Sequence, residues 1–457
     1  LIKGRARHMP NRFLEFFWRS DPRPDPRAFA EPATPAAPAR RAGATTREGR
    51  EAVAFIDKLA RALHRYGYAA PNIEDALTLV ARRLGLRGEF FATPTAIFAS
   101  LESEDVDETM LIRVEPGSVN LDKLSRLDTL AHTVARGEMS PADASRTIDE
   151  IRATPPRYKG KTTVVASVLA SAAAARFFGG GWREVVVCGA IGFVTGLLAL
   201  IARRNARFRL FEPIAAFVAG VCASAAVVLL PPTSLYVAMC GGLIVLIPGL
   251  TLTTAIGELA TSHLASGTAR LMAAAILFMS IGFGLVLGLK AGGAMFGAPP
   301  DVAEPLALPA WTLGVALALA PLALTVQFQA NPRDVGWILG VCVLAFAGAR
   351  LGARTLGIET GAFIGAMLVG VASGLHSRLF NRPAVVTSTP GILMLVPGSV
   401  GFRSITDMIA RDPVSGLQTA FTMVLTGVAL VTGLLLARFI VPRRSWMTFM
   451  AAARSRR

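Results

Sequence analysis

Two stretches of the chain carry the same small set of reactive groups. Residues 242–259, GLIVLIPGLTLTTAIGEL, align without a gap on residues 391–408, GILMLVPGSVGFRSITDM. Pro248-Gly249 falls on Pro397-Gly398, and Glu258 on Asp407. In each copy an apolar run meets a Pro-Gly pair, which removes one amide donor and relaxes the backbone. A polar segment ending in one acid follows. The first copy offers Thr251, Thr253, Thr254 and Glu258; the second offers Ser399, Arg403, Ser404 and Asp407. A helix broken inside a bilayer leaves backbone groups that only protein or a water-filled cavity can satisfy. The half-helix after the break presents free N–H groups and a positive dipole near Gly249 and Gly398, suited to a carboxylate. The hydroxyls suit a polar solute, and Glu258 and Asp407 suit a substrate ammonium or a travelling proton. A plain Pro-Gly kink, with hydroxyls bonded back to their own helix, is the structural alternative for either copy alone.

The elements that position these residues follow from composition. The 457-residue chain is 53% hydrophobic and 17% charged, with a formal charge of +16. Its mean hydropathy is +0.50. A soluble domain carries about 25% charged residues, so these proportions exclude a soluble enzyme and point to several membrane spans. Residues 162–457 hold only 9 of the 31 acids. Ten apolar segments are expected there, at 162–178, 184–202, 210–230, 234–250, 268–289, 306–328, 335–352, 358–375, 384–401 and 417–440. Five precede the boundary near residue 300 and five follow it. An odd number of spans per copy of a repeat inverts the second copy, a recurring transporter plan. Arginines concentrate after segments two, eight and ten, which puts both termini in the cytoplasm by the positive-inside rule.

Ahead of the spans, residues 1–50 form a Pro/Ala/Arg-rich leader without hydrophobic period, expected to be disordered. The chain begins with Leu1 rather than Met, which leaves its start residue open. Residues 51–158 read as a small cytoplasmic α+β domain: helical periodicity at 51–67 and 72–86, strand-like runs at 89–102 and 108–116, and further helices opened by Asn120 and Ser140. The membrane region divides into a first repeat over 162–290 and a second over 305–440, followed by a basic tail over 441–457. The fold class expected is thus an α-helical polytopic membrane protein of ten spans, in two inverted five-helix repeats with Pro-Gly-broken helices.

Competing chemistries find little support. Cys188, Cys222, Cys240 and Cys342 all lie in apolar runs without zinc or redox spacing. No metal or other cofactor is called for, and no enzyme activity is expected. His132 and Ser118 lack a nucleophile elbow or triad spacing, and no basic, aromatic-interleaved motif suggests nucleic acid. Glu212 and Glu359 read as acids near helix N-termini, and His263 as a loop residue.

The stretches LHRYGYAAPNIEDALTLVARRLGL, TPTAIFAS and VNLDKLSRLDTLAHTVARGEMSPADASRTIDEI, together with the two Pro-Gly segments, resemble the threonine/serine exporter family (ThrE) over about residues 60–440. The resemblance implies a carrier in the cytoplasmic membrane that exports threonine and serine, driven by the proton motive force. Some relatives split the two halves into separate chains and are associated with dicarboxylate export, so a succinate-type exporter stands as the alternative substrate reading. A membrane-anchored ligand sensor without flux is a further one. The expected partners are the amino acid, protons and the lipid bilayer, with room for a homo-oligomer. The family supplies no residue list, so the assignments above rest on the repeat.

Overall fold

The amino-terminal helices form where apolar residues recur at helical spacing. Helix α1 (Arg47–Arg65) buries Phe55, Ile56, Leu59 and Leu63 on one face. Helix α2 (Ala70–Arg83) opens on Pro71, and its N-cap residue Ala69 makes no side-chain cap bond. Strands β1 (Arg87–Ala92), β2 (Ala96–Glu102) and β3 (Asp107–Arg113) pair antiparallel in the order β1-β2-β3, with Phe90 opposite Ala99 and Ala99 opposite Met110. Helices α3 (Leu121–Arg136) and α4 (Pro141–Ala153) are capped by the Asn120 and Ser140 side chains. The four helices and the sheet share one core that includes Phe55, Leu77, Ile97, Leu124 and Ile148. The structure, a computed structural model, describes residues 47–103, 107–204, 210–297, 305–395 and 413–441.

The rest of the described chain is helical. The first set comprises α5 (Gly160–Phe177), α6 (Trp182–Arg204), α7 (Phe211–Leu229), α8 (Leu235–Leu243), α9 (Gly249–Ala260) and α10 (Leu264–Phe296). The second comprises α11 (Trp311–Gln327), a 3-10 turn (Pro332–Asp334), α12 (Val335–Leu356), α13 (Ile358–Phe380), α14 (Val385–Leu393) and α15 (Pro413–Ile440). Six of the described helices, α6, α7, α10, α12, α13 and α15, are long and apolar enough to cross a membrane. Helix α10 turns an apolar stripe outward, with Met272, Ile276, Met279, Phe283 and Leu287 between 43% and 65% exposed. Such a stripe needs lipid rather than water beside it. Of the remaining expected segments, α5 has 18 residues but, with Lys161 and Arg176 at its ends, is less apolar, and α11 with 17 and α8 and α14 with nine each are shorter.

The brevity of α8 has a local cause. Residues 244–248 leave the helix, Pro248 cannot donate into a continuing turn, and α9 starts afresh at Gly249. In the second set α14 stops at Leu393, and its Pro-Gly pair lies outside the described residues.

The order of the first set recurs in the second. Helices α11, α12, α13, α14 and α15 each begin about 150 residues after α5, α6, α7, α8 and α10. The neighbours recur as well: α7 packs on α10 as α13 packs on α15, and α8 touches α6 and α7 as α14 touches α12 and α13. These contacts are close because the facing residues are small. A Cβ at Gly288 would stand 2.1 Å from the Phe217 carbonyl oxygen, and one at Gly433 would stand 2.4 Å from that of Phe363.

Candidate functional site

Helix α9 carries the polar half of the first copy of the repeated motif. Its C-terminal end turns back into α10 through Thr261, Ser262 and His263, and the His263 amide donates to the Glu258 carbonyl at 2.9 Å. That turn brings Ser266 and Arg270, four residues apart on one face of α10, against the Glu258 carboxylate. Ser266 Oγ donates to Glu258 Oε2 at 2.7 Å, and Arg270 Nε donates to Oε1 and Oε2 at 3.1 and 3.0 Å. Glu258 is 1% exposed. A carboxylate that deep requires a countercharge and full hydrogen bonding, and Arg270 with its neighbours supplies both.

The third donor comes from the amino-terminal domain. The Ala70 amide, at the start of α2, donates to Glu258 Oε1 at 3.0 Å. Because α2 lacks a side-chain cap of its own, Glu258 supplies the negative charge its N-terminus favours, from 188 residues away in sequence. A second bridge runs beside it. His263 Nε2 and Glu74 Oε2 stand 3.2 Å apart, and Glu74 Oε1 accepts the Ala92 amide of β1 at 2.8 Å. His64, buried in α1, lies in the field of Arg270 and Glu258; burial first and Arg270 second push its pKa below the ordinary value. On its other flank the domain grips the end of α11. The Leu121 amide donates to the Phe328 carbonyl at 2.9 Å, and Gln329 exchanges bonds of 2.9 and 3.1 Å with the Tyr158 backbone.

Under this junction lies a cavity of about 190 Å³. Its roof is the Gly67–Asn72 stretch that leads into α2. One wall is α9, contributing Thr253, Thr254, Gly257 and Glu258; the others are α13 with Ser373, α14 with Ser388 and Thr389, and α15 with Val431 and Leu434. The cavity therefore joins both helix sets and the amino-terminal domain. Of the first-copy residues singled out in the sequence, Thr253, Thr254 and Glu258 come together here. Thr253 Oγ1 also donates to the Gly249 carbonyl at 3.0 Å. Gly249 is buried in the first turn of α9, and neither it nor Thr251 lines the cavity. Gly398, Ser399, Arg403, Ser404 and Asp407 lie outside the described residues. Glu212 and Glu359 occupy the first turns of α7 and α13.

Sequence reasoning missed Arg270, Ser373, Ser388 and Thr389. Arg270 had a signal: it is a cation inside the fifth apolar segment, where a buried partner is to be expected. The three hydroxyls had none, because serine and threonine are unremarkable in spanning helices. It also missed a recurring pair of buried acids. Arg183-Glu184-Val185 reappears as Arg333-Asp334-Val335. Glu184 accepts the Gly181 and Ser234 amides, each at 2.8 Å, and so ties the start of α6 to the start of α8. Asp334 pairs with Arg382, which ties the start of α12 to the approach to α14. Among the described residues no cluster of His, Cys, Asp and Glu could hold a metal ion.

Residues 54–292 match the family profile described as "Putative threonine/serine exporter", and residues 314–440 match a second, "Threonine/Serine exporter, ThrE". The chain belongs to the threonine/serine exporter family. The first match ends within α10 and the second begins within α11, where one helix set gives way to the other. Among curated relatives, "Pheromone-regulated membrane protein 10" of Eremothecium gossypii is 27% identical over 386 residues, 82% of this chain and 50% of its own. The protein of that name in Saccharomyces cerevisiae is 25% identical over 382 residues, 81% of this chain and 48% of its own. "Probable threonine/serine exporter" of Mycobacterium tuberculosis is 26% identical over 364 residues, 76% of this chain and 68% of its own. The chain thus spans about half the length of these two fungal relatives. No solved structure matches it.

Proposed function

We propose that the protein is a secondary active transporter that exports threonine and serine across the plasma membrane in exchange for protons, by alternating access. The observation that carries this reading is the hydroxyl-lined cavity between the two helix sets, walled by the broken-helix segment α9 and closed by the amino-terminal domain. Its volume of about 190 Å³ falls below the ~300–1,000 Å³ of drug-sized sites, as a small metabolite requires. The ligand's ammonium faces Glu258, and the rest of the ligand faces α13–α15. Protonation of Glu258 weakens its hold on Arg270 and on the Ala70 amide together, so proton uptake and lifting of the Gly67–Asn72 roof are one event. By the sequence repeat, the second-copy residues Gly398, Ser399, Arg403 and Ser404 are the further substrate-binding candidates, and Asp407 is the proton-coupling counterpart of Glu258.

This mechanism needs ten crossings with the second set inverted. The contacts of the amino-terminal domain support that arrangement. The domain meets the start of α5 but the end of its counterpart α11, and the cavity beneath it takes in the start of α14 and the end of α15. We place this face, and both termini, in the cytoplasm. An impermeant maleimide applied to intact cells is then expected to label an Arg183→Cys variant and to spare Arg378→Cys until the membrane is opened; equal labelling of both refutes the inversion.

The function itself is tested in liposomes loaded with labelled threonine under an imposed proton gradient. Gradient-dependent loss of label, competed by serine, is the expected result. Flux of succinate without flux of threonine defeats the amino-acid reading. Binding of threonine without flux defeats the transporter reading and leaves a sensor.

A further inference from the structure

Several buried hydroxyl side chains in the apolar helices share one habit. Ser167, Thr195, Thr325 and Thr426 each donate to a carbonyl four residues back on their own helix. That bond is the ordinary way for serine or threonine to satisfy itself inside a membrane helix. Ser373 on α13 departs from it. It is 1% exposed, it lines the cavity, and its Oγ has no hydrogen-bond partner among the described residues. Buried hydroxyls are paired in the great majority of cases, and an unpaired one calls for an explanation. Ser171, also unpaired, sits instead against Gly192 on the α5–α6 contact.

Beside Ser373 the cavity lining is mixed, with Ser388 and Thr389 of α14 and Arg438 of α15 among apolar residues. Gly370, Gly374, Ile392, Val431 and Leu434 line the same side of the cavity, while Thr253, Thr254 and Glu258 line the α9 side. A small ligand that carries charge together with a short side chain bearing one hydroxyl matches this mixture of charged, hydroxyl and apolar lining. We infer that Ser373 is the residue that recognises the side-chain hydroxyl of a small β-hydroxy α-amino acid, exchanging a hydrogen bond with it when the cavity is filled. The inference rests on reading the cavity as the transport site and adds which group sets its selectivity.

The discriminating pair of ligands is threonine and valine, which share a shape and differ by hydroxyl against methyl. A site that must leave a buried hydroxyl unpaired rejects the analogue strongly, whereas an apolar pocket separates such isosteres weakly. In proteoliposomes of the full-length protein, valine is expected to compete with labelled threonine at least ~10-fold less effectively than threonine itself. In Ser373→Ala the two are expected to compete within about threefold of each other, through weakened threonine rather than lost flux. Ser373→Ala removes an unpaired polar atom, so it is expected to fold as well as the parent; Ser373→Cys, of nearly the same shape, serves as the second variant and is expected to lose selectivity in the same sense. Unchanged selectivity in a folded Ser373 variant overturns the assignment and leaves the cavity reading standing. Failure of the unaltered protein to move or bind either amino acid overturns the cavity reading and this inference with it.

Discussion

Removing the charge of Glu258 leaves Arg270 buried without its counterion. Breaking a buried pair from one side costs about 3–5 kcal/mol, far more than the pair contributes net. Because Arg270 keeps 19% of its side chain exposed, the lower end applies. Glu258→Gln is therefore expected to lower stability by about 3 kcal/mol in thermal unfolding of the purified protein, and Glu258→Gln with Arg270→Gln is expected to recover part of it. Additive losses in the double variant would deny the coupling. A second residue-scale prediction concerns His64. Its folded pKa is depressed by burial and by Arg270, so the unfolded chain binds the proton more readily. Stability is then complete above the unfolded pKa of about 6.5 and falls as pH drops below it. The melting temperature of the parent is expected to fall more steeply between pH 7.5 and 5 than that of His64→Gln; parallel curves would remove His64 from the account. The sequence advertised Glu258, since a lone acid in a repeated apolar motif is conspicuous. It hid what holds the acid, because an amide at the start of α2 carries no side-chain signature and lies 188 residues away.

At the scale of elements, packing rather than polarity explains the close pairs. Helices α7 and α10 touch through Gly220, Gly284 and Gly288, backbone against backbone, and through Gly292 against the Ser224 side chain. Gly288→Ala would push a Cβ to 2.1 Å from the Phe217 carbonyl oxygen, so the helices must part, at a cost of about 1–3 kcal/mol. Gly293→Ala, one residue further on the same helix, meets nothing within 4 Å and is expected to gain up to ~1 kcal/mol from helix propensity. Equal melting temperatures for the two variants would contradict this packing. Most elements were legible beforehand: the amphipathic periods of α1 to α4 and the long apolar runs each found their helix. Span length was less so. The 234–250 run reads as one apolar stretch, but Pro248 and the turn before it divide it into α8 and α9. The acids Glu184 and Asp334 were overlooked because each falls at the edge of an apolar run, where the eye expects a surface residue.

For the whole molecule, the halves depend on the domain that sits across them. The amino-terminal domain bonds to α9 and α10 of the first set and to the end of α11 in the second. Composition and the repeat made a two-part membrane region legible. Nothing in the pattern of 51–158 announced that its Gly67–Asn72 turn closes a cavity, because loop placement is a tertiary outcome with no period to read. The central claim is that this cavity holds the transported amino acid, and Ser388 on its α14 wall gives direct access to it. The measurement is the rate at which a small thiol reagent modifies Ser388→Cys in a Cys222→Ala background, with and without threonine, alongside threonine efflux from the same proteoliposomes. Threonine is expected to slow modification over the concentration range that saturates transport, and completed modification is expected to stop efflux. Modification that proceeds at one rate with or without saturating threonine, and leaves efflux intact, would contradict the account.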